Sequence, residues 1–214
     1  MRLETRVGSY DKNIIYELVV KNVYMPAGFE IMNNDIVVDI GAHIGIFSVL
    51  AAVRAKQGKV YSIEPMPENY SLLLANIKQN NLKNVTPVNK ALSSDIGEKH
   101  LFISSSSGGH SFVFLDKKIT NIAVQTSTLE TIIKEYDIHK IDFLKIDCEG
   151  AEYEILFNCP KEVLNKIRKI SMECHDIDDK KNSNSLKLFL EANGFEVKID
   201  TSSCLMLYAK NLIL

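Results

Sequence analysis

Residues 36–45 read Ile36-Val37-Val38-Asp39-Ile40-Gly41-Ala42-His43-Ile44-Gly45, and this stretch decides the fold. Its first half is a short apolar run rich in β-branched residues, the pattern of a strand covered on both faces in a parallel sheet. Its second half is bounded by glycines, which let a chain turn tightly and bring its backbone close to a ligand. Beyond it Ile46, Val49, Leu50 and Val53 recur at helical spacing, and Gly58 stands where such a helix would stop. Amides at the start of that helix offer donors and the positive end of a dipole. The turn departs from the dinucleotide pattern GxGxxG, because His43 and Ile44 occupy its interior and would crowd a pyrophosphate.

Working outward, the same alternation of strand and helix continues. Residues 59–64 predict a second strand, and a helix starting near Pro67 carries Tyr70, Leu73, Leu74 and Ile77 on one stripe before Asn80 and Asn81 close it. Residues 85–88 predict a third strand. Residues 101–104 and 111–115 read as an inserted antiparallel pair around a Ser/Gly loop at 104–109. Ser127 or Thr128 can cap a helix with Leu129, Ile132, Ile133 and Tyr136, and 141–147 is a strong strand. A helix from about Ala151, a short one opening at Pro160, a strand at 169–174 and a helix with Leu186, Phe189 and Leu190 follow. The last strands, 195–199 and 205–209, are joined too tightly for a parallel crossover, so they must be antiparallel. The expected fold is α/β, a doubly wound, mostly parallel sheet with a C-terminal antiparallel hairpin and a small β insertion.

Composition sets outer bounds. The chain has 214 residues, 46% of them hydrophobic, with 25 basic and 27 acidic side chains and a net charge of −2. One domain with a sizeable core is expected, and non-specific nucleic-acid binding, which needs a basic surface, is disfavoured. No apolar run approaches the roughly 20 residues of a membrane span. The first residues lack the apolar core of a signal peptide, so a cytoplasmic location is expected. Cys148, Cys159, Cys174 and Cys204 form no CxxC pair and suit reduced thiols.

In open α/β sheets ligands bind beyond the carboxyl ends of the strands. The second such end is Glu64, 19 residues after Gly45, near the offset of about 20 residues at which an acid meets a ribose. Residues 89–94 leave the third strand and can wall an adenine. At the fourth end, Lys145-Ile146-Asp147-Cys148-Glu149-Gly150-Ala151-Glu152 gathers carboxylates at one strand-to-helix junction. Helix capping, worth about 0.3–1 kcal/mol, accounts for one or two of them. At the fifth end Glu173 and His175 share a face. With Asp147 and Glu149 they could form an acid/base pair, hold a divalent metal, or make a plain strand-end salt bridge.

Taken together, the DIGAHIG turn, the SIEP segment at 62–65, the TLE helix start at Thr128, KIDCEGAE at 145–152 and IxMECH at 170–175 resemble the FkbM family of S-adenosylmethionine-dependent methyltransferases. The resemblance runs from about Asp35 to about Ala209. It implies the class I methyltransferase fold, Rossmann-like, with seven strands and a reversed last strand. It also implies that Asp39, Gly41, Ala42, His43 and Gly45 surround the methionine part of the cofactor and that Glu64 holds the ribose. Pro65 and Met66 would line the adenine side with Ala91 opposite, and Asp147 would face the methionine amino group or the acceptor. Residues 35–214 would then be the methyltransferase domain and residues 1–34 a cap or substrate-covering segment. The expected acceptor is a hydroxyl of a small metabolite, sugar or lipid-linked glycan. His175 is the first choice of base, with Asp147, Glu149 and His110 behind it. A divalent metal is permitted by this set but not expected. A nicotinamide-dependent oxidoreductase and a non-catalytic cofactor-binding module are the alternatives. The acids Asp39, Glu64, Asp147, Glu149, Glu152 and Glu173 fall at strand exits along one rim, so the near-neutral total is expected to conceal an acidic cleft suited to a cationic cofactor.

Overall fold

In the computed structural model, which describes residues 1–9, 11–102 and 121–214, the opening stretch forms β1 (Ile36–Ile40), an inner strand of a seven-stranded sheet, and the turn after it. An N-terminal segment with α1 (Asp11–Ile15), continued by a π-helical stretch (Tyr16–Lys21), precedes it. After β1 come α2 (Ile46–Arg54), β2 (Lys59–Ile63), α3 (Pro67–Gln79) and β3 (Val85–Val88). Three strands follow, β4 (Ala91–Leu92), β5 (Gly97–Phe102) and β6 (Asn121–Ser127), then α4 (Leu129–Glu135) and β7 (Phe143–Ile146). The chain ends with α5 (Glu152–Phe157), α6 (Lys161–Leu164), β8 (Lys169–Glu173), α7 (Ser183–Ala192), β9 (Phe195–Asp200) and β10 (Met206–Asn211).

The strand order is β3-β2-β1-β7-β8-β10-β9. The first five run parallel, and β10 inserts antiparallel between β8 and β9. The terminal hairpin is therefore the expected one. Because the chain winds outward from β1 to β3 and then returns to β7 on the other side of β1, the topological switch lies between β1 and β7, where such sheets open a ligand crevice.

Period-two alternation sorts the core into two layers. Val38, Ile40, Leu144, Ile146 and Met172 face one cluster, shared with Leu129, Ile132, Tyr153, Leu156 and Leu186. Val37, Val60, Phe143 and Tyr208 face the other, shared with Ile46, Phe47 and Ala51 of α2 and with Leu18, Val23, Tyr24 and Phe29 of the N-terminal segment. Each of the large side chains contributes about 1.5–3 kcal/mol by its burial. The N-terminal segment is thus part of the core. Local signals agree with the caps: Thr128 Oγ1 accepts from the Thr131 amide at 3.1 Å, and Asn182 and Ser185 form a reciprocal capping box on α7.

Two local expectations are corrected. The helix after β1 ends at Arg54, and Gly58 instead packs against the Asp35 carbonyl, where a Cβ would lie 2.0 Å from that oxygen. The inserted β unit starts at Gly97, and its antiparallel partner is Asn121–Ser127, with Ala91–Leu92 parallel on the other side. The expected strand at 111–115, the loop at 104–109 and His110 lie outside the described residues. No helix among the described residues is long and apolar enough to cross a membrane, and the four cysteines are free.

Glycine substitutions separate the tight point of this fold from a slack one. A Cβ on Gly41, at φ +73°, would stand 1.7 Å from the Asp147 carbonyl oxygen, whereas on Gly97 the nearest atom would be 4.0 Å away. Gly41→Ala should cost more than about 2 kcal/mol through clash and left-handed strain. Gly97→Ala, in a strand, should be neutral or stabilising by up to about 1 kcal/mol. Urea unfolding of the two variants checks both signs.

Candidate active site

The switch point is held by a buried ion pair. In the parallel register Asp39 of β1 stands beside Lys145 of β7, and Lys145 Nζ lies 3.1 Å from Asp39 Oδ1. Ser62 of β2 and Ser171 of β8 continue the row on either side, so one polar line crosses an otherwise apolar sheet. Ser48 of α2 donates to Asp39 Oδ2 at 2.6 Å. Lys145 Nζ also donates to the Gly41 carbonyl at 2.7 Å and lies 3.7 Å from Asp147 Oδ2. Burial disfavours the charged amine, but Asp39 and Asp147 outweigh it and raise the Lys145 pKa.

The glycine turn is shaped by left-handed residues at Gly41, His43 and Gly45. Its amides at Gly41 and Ala42 both donate to the Ile63 carbonyl, which ties the turn to the end of β2. Glu64, the next residue, is buried, with Oε2 accepting from the His43 amide at 2.8 Å and Oε1 from the Met66 amide at 2.9 Å and Asn69 Nδ2 at 3.3 Å. Asn89 braces its backbone by donating to the Glu64 carbonyl at 2.8 Å. Burial raises the Glu64 pKa despite these donors. His43 Nε2 lies 2.7 Å from Arg6 Nη2, and burial, then the Arg6 charge, depress its pKa to about 4.

On the β7 side the chain turns through Glu149 and Gly150, both at positive φ, before α5. Glu152, the first residue of α5, is fully buried, its Oε1 accepting from the Cys148 amide at 3.3 Å and facing His175 Nδ1 at 2.9 Å. His175 Nε2 faces Glu149 Oε2 at 3.4 Å. With a carboxylate on each nitrogen the ring is held as an imidazolium: burial opposes the charge, but Glu152 first, then Glu149 and Asp147, raise the pKa to about 10. The Glu149 pKa is raised as well, to about 7, mainly by burial and against the pull of His175. Glu173 rises to about 6 through burial and the Asp147 charge. Tyr24, from the N-terminal segment, places its hydroxyl 2.8 Å from Asp147 Oδ2 and 3.2 Å from Glu173 Oε2, with Lys145 Nζ 5.3 Å from its ring centre.

These groups surround a cavity of about 250 Å³. Of the residues expected at a cofactor, Gly41, Ala42, His43, Glu64, Pro65, Ala91 and Asp147 line it. Asp39 sits beneath the turn on Lys145 and Ser48, Gly45 caps α2, and the Met66 side chain packs with Leu101 and Val124. Asp147 and Glu149 reach the cavity wall, with His175 behind Glu149. Ligand atoms of Asp147, Glu149 and His175 fall within 4.8 Å of one another, although both ring nitrogens of His175 already face carboxylates. Among the described residues five carboxylates, Glu17, Glu64, Asp147, Glu149 and Glu173, line the cavity against Lys90 and Lys145. The N-terminal segment, expected as a cap or covering, reaches the cavity through Ile14, Leu18, Val23 and Tyr24, residues that no sequence motif singles out.

A family model for the methyltransferase FkbM domain matches residues 39–197, which spans the glycine turn, Glu64 and the Asp147–His175 cluster. The chain belongs to the FkbM methyltransferase family. Methyltransferase sdnD of Sordaria araneosa is 25% identical over 86% of this chain and 83% of its own length. The 31-O-demethyl-FK506 methyltransferase FkbM of Streptomyces tacrolimicus is 24% identical over 76% of this chain and 74% of its own. AMB antimetabolite synthetase AmbE of Pseudomonas aeruginosa is 25% identical over 87% of this chain, which spans only 11% of that protein. Among solved structures, methyltransferase FkbM from Methylobacillus flagellatus superposes with a TM-score of 0.62 at 16% identity, covering 88% of this chain and 47% of that one. Magnesium protoporphyrin IX methyltransferase from Synechocystis, with bound SAM, gives 0.53 at 13% identity over 97% and 86%. The fold is that of the class I methyltransferases. Family membership sets aside the nicotinamide reading.

Lys145→Met removes the cation from two carboxylates, one of them fully buried. An uncompensated buried charge costs about 3–5 kcal/mol. The loss should appear as a lower urea midpoint, and Lys145→Met combined with Asp39→Leu should be less destabilised than Lys145→Met alone.

Proposed function

We propose that this FkbM-family methyltransferase takes its methyl group from S-adenosylmethionine and transfers it to a hydroxyl of a small metabolite, sugar or lipid-linked glycan. The observation that carries the cofactor assignment is Glu64: a buried carboxylate at the end of β2, bonded to the amide of the glycine turn at the switch point. Its two oxygens offer about four acceptor positions, of which three N–H donors take three, so it can also accept a ribose hydroxyl. Pro65 and Ala91 provide flat apolar surface for an adenine, and Asp147 provides a carboxylate for the amino group of the methionine part. The acidic lining fits a cofactor with cationic sulfonium and ammonium groups. When bound, the cofactor supplies an activated methyl group. The relative named as a 31-O-demethyl-FK506 methyltransferase supports oxygen as the methylated atom.

The protein's own contribution is chiefly positional. Holding two reactants in line is worth about 7–11 kcal/mol, whereas one positioned base supplies about 10²–10⁴-fold. Tyr24 and Lys145 fix Asp147, and the N-terminal segment, residues 1–34 in our reading, covers the cavity and excludes water through Ile14, Leu18 and Val23. For the proton we assign Glu149 as the base. Its carboxylate lines the cavity and is poised near 7, while His175, held as a cation, positions it and holds its pKa down.

Calorimetry with S-adenosylhomocysteine tests the cofactor assignment. Wild-type protein should bind it and Glu64→Ala should bind at least about tenfold more weakly; no binding to folded wild-type protein would remove the reading. The proton assignment predicts a kcat/KM that rises with pH through about 7 and then levels, because the base works only when ionised. Glu149→Gln should abolish the rise and lower the rate by about 10²–10⁴-fold. His175→Gln should move the inflection to higher pH, since it removes the cation that favours ionised Glu149. An inflection unchanged in Glu149→Gln would assign the proton elsewhere.

A further inference from the structure

Arg6 lies far from the glycine turn in sequence and touches it in space. Its Nη1 donates to Asn69 Oδ1 at 2.9 Å, and its Nη2 donates to Asp11 Oδ1 at 2.9 Å and faces His43 Nε2 at 2.7 Å. A guanidinium carries only donors, so Nε2 must accept and the ring proton of neutral His43 sits on Nδ1. Nδ1 is buried and has no partner among the described residues, although His43 forms part of the cavity wall. A buried donor left unmade is costly, and an acceptor on a ligand in the adjoining cavity would relieve that cost. Two of the three Arg6 partners also act on Glu64: the His43 amide donates to Oε2 and Asn69 Nδ2 to Oε1. Asp11, fully buried, balances the arginine, and Arg6 hydrogen bonds keep it ionised against the opposing effect of burial.

We propose that Arg6 is a positioning residue for the cofactor: it locks His43 in the Nδ1–H form as a donor to a ligand oxygen and holds Asn69 against Glu64. The N-terminal segment is then a working part of the cofactor site. This inference rests on the S-adenosylmethionine reading. The oxygen can belong to a ribose hydroxyl or to the methionine carboxylate, and the two are separable because adenosine carries only the first.

The experiment is ¹⁵N NMR of histidine-labelled full-length protein at neutral pH, with His43 assigned by the loss of its signals in His43→Gln. The free protein should show His43 as the neutral Nδ1–H tautomer. Saturating S-adenosylhomocysteine should shift the Nδ1 resonance, and a matching shift with adenosine would name the ribose. Arg6→Ala should populate the Nε2–H tautomer and weaken S-adenosylhomocysteine binding by about 10- to 100-fold. Arg6→Lys keeps the charge but cannot fork across three acceptors, so it should fall between; it carries the test if Arg6→Ala fails to fold. The proposal is overturned by an Nε2–H tautomer in the wild-type protein, by an Nδ1 resonance unmoved at saturation, or by an arginine variant that binds as tightly as wild type. Absence of binding to wild-type protein overturns the cofactor reading instead, and the tautomer in the free protein still decides whether Arg6 sets the state of His43.

Discussion

An ammonium and a carboxylate buried side by side between β1 and β7 are the constraint on which the rest of the site depends. Taking both groups from water carries a desolvation penalty of several kcal/mol per ion, and their attraction offsets it only when the remaining hydrogen bonds are made. Lys145 makes them with the Gly41 carbonyl and approaches Asp147, while Asp39 accepts from Ser48. One cation therefore holds the ends of both strands at the switch point. Its demands propagate: the Asp147 carbonyl comes so close to Gly41 that no Cβ fits, and Ser62 and Ser171 extend the row. The Tyr24 ring lies over the amine, bringing the N-terminal segment to the same point.

Much of this was legible in the sequence because the signals were periodic and local. A β-branched run before a glycine turn, repeated helix stripes and a hairpin link too short for a crossover suffice for the sheet and its reversed strand. The place of Glu64 followed from its spacing to Gly45. Long-range pairing was less legible. The β6 strand alternates buried and exposed residues over a half-covered surface, and its partner β5 is separated from it by 18 residues, so nothing local marks the match. For the N-terminal segment a covering role is expected from the sequence, but which of its residues reach the site is not legible, for a similar reason. Tyr24 and Arg6 reach the site through contacts with residues more than 30 positions away, Asp147 and Glu173 for the tyrosine and His43 and Asn69 for the arginine, and a tyrosine or an arginine alone carries no motif.

Charge needed the structure most. The acids at 145–152 are indistinguishable in sequence, yet burial and partners divide their labour. Glu152 is buried at the start of α5 and, with Glu149, favours cationic His175; Asp147 is fixed by Tyr24 and Lys145; Glu149, in a left-handed turn, is left near 7. Carboxylates on both ring nitrogens raise the His175 pKa to about 10 while burial leaves Glu149 near 7, and this contrast is what supports the proposal that Glu149, ahead of His175, takes the proton. The near-neutral total conceals a cavity whose wall is acidic.

The central claim is that this cavity holds an adenosyl cofactor by its ribose on Glu64. A crystal structure of the complex with S-adenosylhomocysteine tests it most directly. The account predicts ribose hydroxyls within hydrogen-bond distance of the Glu64 carboxylate, the adenine between Pro65 and Ala91, and the sulfur directed toward Asp147 and Tyr24. A nucleoside bound with its ribose away from Glu64 would contradict it.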